Sequence, residues 1–135
     1  MTNRNNFIRI AFFLPLPLIS GLIFYLSGLS KVPIPDLGIL QQDKFLHMIA
    51  FFFYGYSALL FLEALKPEPG RKTTILFFLI VIIFSASDEF HQYYIPGRTC
   101  DFYDWIADLI GFSTSYFTRN SLLNFANKLS KKIFS

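Results

Sequence analysis

Ten polar side chains sit in three short stretches of an otherwise apolar chain: Asp43, Lys44 and His47; then Asp88, Glu89, His91 and Gln92; then Arg98, Asp104 and Asp108. Carboxylates beside imidazoles could serve as general acids or bases or could hold a divalent metal. An arginine among them could bind a carboxylate or an anionic headgroup bidentately. Spacing groups these residues further. Lys44 and His47 stand at i, i+3, and Asp88 and Gln92 at i, i+4, so each pair shares a helix face. Asp101, Asp104 and Asp108 stand at i, i+3 and i+7, which also places them on one face. Glu89 lies about 100° around from Asp88, so one helix cannot aim both carboxylates equally well at one point. As a metal set, Asp88, Glu89, Asp104 and Asp108 are spread over two segments and, with His47 and His91, lack the tight His or Cys spacing of a metal motif. No metal and no cofactor is therefore expected. Arg98 follows Pro96-Gly97, a turn that should hold the guanidinium near the ends of the segments it joins.

The elements that carry these residues read as membrane spans. Of 135 residues, 53% are hydrophobic and 16% charged, and the mean hydropathy is +0.45. A soluble domain averages about 25% charged residues, so the composition points to an all-α, polytopic membrane protein. Apolar stretches fall at residues 10–29, 45–65, 73–94 and 102–117, each near the ~20 residues that cross a bilayer. Four spans with short connections make residues 1–135 a single membrane domain and leave no length for a soluble catalytic domain. Pro15 and Pro17 should kink the first span. A cleavable signal peptide competes for it, but the apolar core is long and no small-x-small cleavage site is clear around Ser27 to Ser30, so an uncleaved anchor is expected. Lys31-Val32-Pro33-Ile34-Pro35-Asp36, Lys66-Pro67-Glu68-Pro69-Gly70 and Ile95-Pro96-Gly97 break the chain between spans. Gly21 with Gly28, and Gly111 with Ser115, offer small-residue spacing for close helix packing. Tyr93, Tyr94, Phe102, Tyr103 and Trp105 suit an interfacial aromatic belt. Cys100 is the single cysteine, so it has no intramolecular disulfide partner.

Charge orients the bundle. Nine of the twelve Lys and Arg residues precede the first span, lie between the second and third, or follow the fourth. By the positive-inside rule this places both termini in the cytoplasm. The basic excess then follows from topology and from anionic lipid headgroups, and no nucleic-acid partner is implied. At 1.5 Å per residue, His47, Asp88 and Asp108 should lie roughly 6–11 Å below the outer helix ends. Ionisable groups at that depth face a bundle interior or a wet cavity, where they pair.

Four motifs in fixed order carry a family resemblance: Asp43-Lys44-x-x-His47, Asp88-Glu89-x-His91-Gln92, Pro96-Gly97-Arg98 and Asp104-x-x-x-Asp108-x-x-Gly111. Over residues 43–115 the chain resembles the VanZ-like family of small bacterial membrane proteins. It departs from that pattern at Asp108, where many members carry Asn, and at Ser115, where a second glycine is common. The resemblance implies a multi-pass protein of the bacterial cytoplasmic membrane with a cell-envelope role. It also implies a link to resistance against the glycopeptide antibiotic teicoplanin. An outward-facing polar pocket binding a lipid-linked envelope component or a lipoglycopeptide, with membrane lipids as partners, would suit both. Two other readings stay open: a membrane enzyme acting on an envelope lipid phosphate or ester, and a structural or partner-binding bundle.

Overall fold

The computed structural model describes residues 2–31, 35, 38, 40–65 and 70–133. All its regular elements among these residues are helices: α1 Thr2–Phe13, α2 Pro15–Ser27, α3 Gln42–Leu65, α4 Arg71–Tyr93, α5 Phe102–Phe117 and α6 Arg119–Ile133. The two proline-broken connections expected at residues 31–36 and 66–70 lie outside the described residues, except for Lys31, Pro35 and Gly70. The third is a tight turn. Pro96 and Gly97 form its corner, Gly97 takes φ 83°, and the Arg98 N–H donates to Ile95 O at 3.0 Å. The positive φ is the reason a glycine sits at that corner.

Three helices are long and apolar enough to cross a membrane: Phe7–Ser27, Gln42–Leu65 and Arg71–Tyr93. The first joins the end of α1 to α2. Leu14 keeps right-handed helical angles between them, and although Pro15 and Pro17 have no N–H to give, the Leu14 N–H donates to Ile10 O at 2.9 Å and the Leu18 N–H to Leu14 O at 3.3 Å, so the two run on as one span. The fourth expected span is α5, which has 16 residues and buries Asp104 and Asp108. At about 24 Å it is shorter than the ~30 Å hydrocarbon core. The helix α6 was not foreseen. Leu123 and Ala126 on one side of it pack against Phe12, Leu60 and Ala64, and the Tyr56 hydroxyl donates to Leu122 O at 2.9 Å.

Polarity is arranged inside out. Leu18, Leu22, Leu79, Ile83 and Ile110 point outward, whereas Asp88, Glu89, Gln92, Asp104 and Asp108 are buried. Such a surface suits lipid as solvent, since in lipid the buried groups must be satisfied within the protein. Helix α3 is the axle, in contact with each of the other five. Phe51, Tyr54, Ala58 and Leu62 of α3 meet Phe77 and Val81 of α4 and Phe112 of α5 in the main core. The α3–α5 crossing is closest. A Cβ on Gly111 would collide with the Met48 carbonyl oxygen, and one on Gly55 with Ser115 Oγ, so both helices approach through glycine. The expected Gly111 and Ser115 stripe is thus used. Of the other pair, Gly28 packs on the His91 ring and Gly21 meets open space.

Candidate functional site

The start of α3, the end of α4 and the start of α5 come together at one end of the bundle. His47 Nδ1 of α3 lies 2.9 Å from Asp108 Oδ1 of α5 and 3.9 Å from Glu89 Oε1 of α4. Ser85 Oγ donates to the other Asp108 oxygen at 2.8 Å. One turn outward, Lys44 Nζ donates to Asp101 Oδ2 at 2.8 Å and to Asp104 Oδ1 at 2.9 Å. Lys44 and His47 therefore face α5 together, and Asp101, Asp104 and Asp108 form the face they meet, as the spacing requires.

Asp88 and Glu89 diverge, as a 100° step demands. Asp88 turns toward α2 and accepts from Ser27 Oγ at 2.7 Å, whereas Glu89 turns toward α3 and α5 and accepts from the Asp101 N–H at 3.2 Å. Gln92 Nε2 spans the two, 3.2 Å from Asp88 Oδ2 and 3.4 Å from Glu89 Oε1. His91 belongs to the α2 side. Its ring stacks on Phe24 at 4.1 Å, and its Nδ1 is 3.4 Å from Ser27 Oγ. Asp43 sits at the rim, more than half exposed and 3.9 Å from Lys44 Nζ. Ser27 and Ser85 are the site residues that sequence reasoning missed. Ser85 had a signal, since it opens the polar run that ends at Gln92 and precedes Asp88 by one turn. Ser27 had none, because its partner lies 61 residues away.

Arg98 does not neutralise a carboxylate among the described residues. Its Nε donates to Leu29 O at 3.0 Å and its Nη2 to Leu26 O at 3.4 Å, closing the carbonyl end of α2. A cation is favoured there, because the last carbonyls of a helix lack intrahelical donors and carry the negative end of its dipole.

Two groups lie outside the helices. Asp101 caps α5 by accepting from the Tyr103 N–H at 2.8 Å. The Lys44 ammonium, followed by that backbone N–H, holds its carboxyl below the usual range. The Cys100 thiol is pushed up, first by desolvation and then by the nearby charges of Glu89 and Asp101. Around the same end, Tyr93, Tyr94, Phe102 and Tyr103 are exposed, as an aromatic belt would be. Trp105 differs, with its indole N–H buried and unpartnered.

Beside the cluster, a cavity of about 400 Å³ opens between α2, α3 and α4. It is lined by the apolar residues Ile23, Leu26, Leu46, Ala50 and Phe51 and by the polar residues Ser27, Lys31, Asp43, His47, Asp88, Gln92 and Arg98. The α2 segment supplies Ile23, Leu26 and Ser27 to that lining. In chemical terms the arrangement offers a partly apolar cavity, two cations in its lining and an imidazole backed by a buried carboxylate.

Neither the curated proteins nor the solved structures give a match to the chain. The family model described as VanZ/LLP1 matches residues 2–122, which takes in α1 to α5 and the start of α6. The match thus extends through the N-terminal helices as well as the motif-bearing segment, and it contains every residue of the polar cluster: the chain belongs to the VanZ/LLP1 family.

Proposed function

We propose that this chain is a multi-pass protein of the bacterial cytoplasmic membrane, with four spans and both termini in the cytoplasm. Its outward-facing pocket binds a lipid-linked envelope component or a lipidated glycopeptide, and through that binding it contributes to teicoplanin resistance. The observation that carries the reading is the cavity lined by both apolar and polar side chains. An acyl or polyprenyl chain would lie against Ile23, Leu26, Leu46, Ala50 and Phe51, and Lys31 and Arg98 of the same lining would meet an anionic head. Ligand sites commonly combine a mostly apolar lining with a few placed polar groups. Nine cationic residues on the opposite side support the orientation.

The test fills the slot without touching the polar cluster. Native mass spectrometry of detergent-purified wild type should show a co-purified lipid adduct, and Ala50→Trp should lose it while remaining folded. In a teicoplanin-susceptible strain the wild type should protect and Ala50→Trp, expressed equally, should not. Equal protection by both, or no adduct on either, would reject the reading.

A second reading, an enzyme acting on a lipid phosphate or ester, is favoured by one contact. His47 Nδ1 against buried Asp108, itself held by Ser85, is an oriented imidazole of the kind general-base catalysis uses. Turnover of a lipid phosphate by purified protein, abolished in His47→Ala, would decide for it.

A further inference from the structure

We infer that His47, Glu89 and Asp108 form a binding site for a divalent cation of the zinc and manganese class, each residue giving one ligand atom from a different helix. The inference goes beyond the lipid-binding reading and does not rest on it.

Geometry is the first support. One ligand atom from each of the three residues lies within 4.8 Å of the others. Ligands 2.0–2.1 Å from a tetrahedral metal stand about 3.3 Å apart. The 2.9 Å from His47 Nδ1 to Asp108 Oδ1 and the 3.9 Å to Glu89 Oε1 straddle that value. Bringing the longer of the two to that value takes a movement of about 0.6 Å. One imidazole with two carboxylates is a donor set that suits Zn²⁺, Mn²⁺ or Fe²⁺.

The far oxygens are held as well. Ser85 Oγ occupies Asp108 Oδ2 and the Asp101 N–H occupies Glu89 Oε2, which turns the near oxygen of each carboxylate toward His47. Donors of this outer kind fix the orientation of metal-ligating carboxylates.

Charge is the third support. Asp88, Glu89, Asp104 and Asp108 are each no more than 4% exposed. Lys44 is shared between Asp104 and Asp101, and Arg98 donates to backbone carbonyls and to no carboxylate among the described residues. Among the described residues, His47 is the cationic partner of Glu89 and Asp108, and Gln92 Nε2 lies 3.4 Å from Glu89 Oε1. Buried charge without a counter-charge is costly, and a divalent cation supplies what is missing. The overlapping group Asp43, His47 and Asp104 is a poorer host, because Asp43 is largely exposed and Lys44 already holds Asp104. His47 also lines the cavity, so a metal on it would have one side open. An open position is the mark of sites that take a ligand from outside.

The experiment strips detergent-purified protein with chelator, titrates it with ZnCl₂ or MnCl₂ in metal-free buffer, and counts bound metal by elemental mass spectrometry. Wild type should retain one ion per chain. Loss of an outer-shell partner alone weakens metal binding by about 10–100-fold, so Glu89→Gln and Asp108→Asn should each weaken it at least about tenfold. Cys100→Ser should bind as wild type does. Zinc-edge X-ray absorption on the wild type adds a readout that needs no variant, with one imidazole, oxygen neighbours and no sulfur expected. No uptake above blank would overturn the inference and leave His47 and Asp108 as a proton-sharing pair. Uptake untouched in both carboxylate variants, or a shell with sulfur or a second imidazole, would overturn it equally. Ala50→Trp should lose its lipid adduct and keep its metal, whereas a wild type that binds metal and carries no lipid adduct would count against the pocket reading alone.

Discussion

Asp101 joins the cap of α5 to the Lys44 ammonium, and this makes it a titratable contributor to stability at the rim of the cluster. Its folded carboxyl titrates below the ordinary Asp value of about 3.9. For a lowered carboxyl, the stabilisation is fully present above the unfolded value and is lost as pH falls through the folded one. The melting temperature of wild type in detergent should therefore be insensitive to this residue's titration between pH 5 and 7 and fall below about pH 4. Asp101→Ala should melt lower at neutral pH and lose less on acidification; equal acid sensitivity in both would reject the role. Asp101→Asn keeps an N-cap oxygen and should fall between the two. The Lys44 pairing was not legible from spacing, but the shared face of Asp101, Asp104 and Asp108 that it meets was, because residues at i, i+3 and i+7 must share a face. The divergence of Asp88 and Glu89 was legible for the same reason. What spacing could not supply was Ser27 on Asp88 or Arg98 on the carbonyls of α2, since those contacts depend on where α2 packs.

At the scale of elements, the cluster exists because α3 and α5 approach through glycine. Gly111 would place a Cβ on the Met48 carbonyl oxygen and 2.9 Å from Phe52 N, all of it backbone that cannot rotate away. Gly55 would meet Ser115 Oγ, which can rotate, and Phe112 Cβ at 2.9 Å. Gly111→Ala should consequently cost more than Gly55→Ala, both within or above the about 1–3 kcal/mol typical of overpacking. Thermal melts in one detergent check the order, and equal melting of Gly111→Ala and wild type would reject so close a crossing. Because His47 and Asp108 lie on these same two helices, Gly111→Ala should also lower retention of any ion or lipid bound at that end. The stripe of Gly111 and Ser115 announced the crossing, but not its partner, since Gly55 stands alone in a long apolar run. The helix α6 escaped for a different reason. Its Asn, Ser and Lys content reads as a tail until Leu122, Leu123, Ala126 and Leu129 are set on a helical period.

At the scale of the whole molecule, the chain is a dipole of function as well as charge. Acids gather where α3 begins, α4 ends and α5 begins; at the other end Thr74 meets the Tyr116 hydroxyl at 2.9 Å and Arg119 lies 4.3 Å over the Tyr116 ring. Cys100 lies at the acidic end, exposed and without another cysteine to compete with it. It is a built-in reporter of orientation. With the proposed topology, a membrane-impermeant maleimide added to intact cells should label wild type at Cys100. A Lys128→Cys variant in a Cys100→Ser background should label only after the membrane is opened. The raised pKa of Cys100 leaves less thiolate at neutral pH, so its labelling should be slower than that of an ordinary cysteine and should accelerate as the medium is made more alkaline. The reverse pattern, with residue 128 labelled from outside and Cys100 protected, would invert the topology. It would move the cavity and its polar cluster to the cytoplasmic face, where a lipidated antibiotic arriving from outside could not reach them directly. The orientation is thus the condition on which any envelope role of the pocket depends.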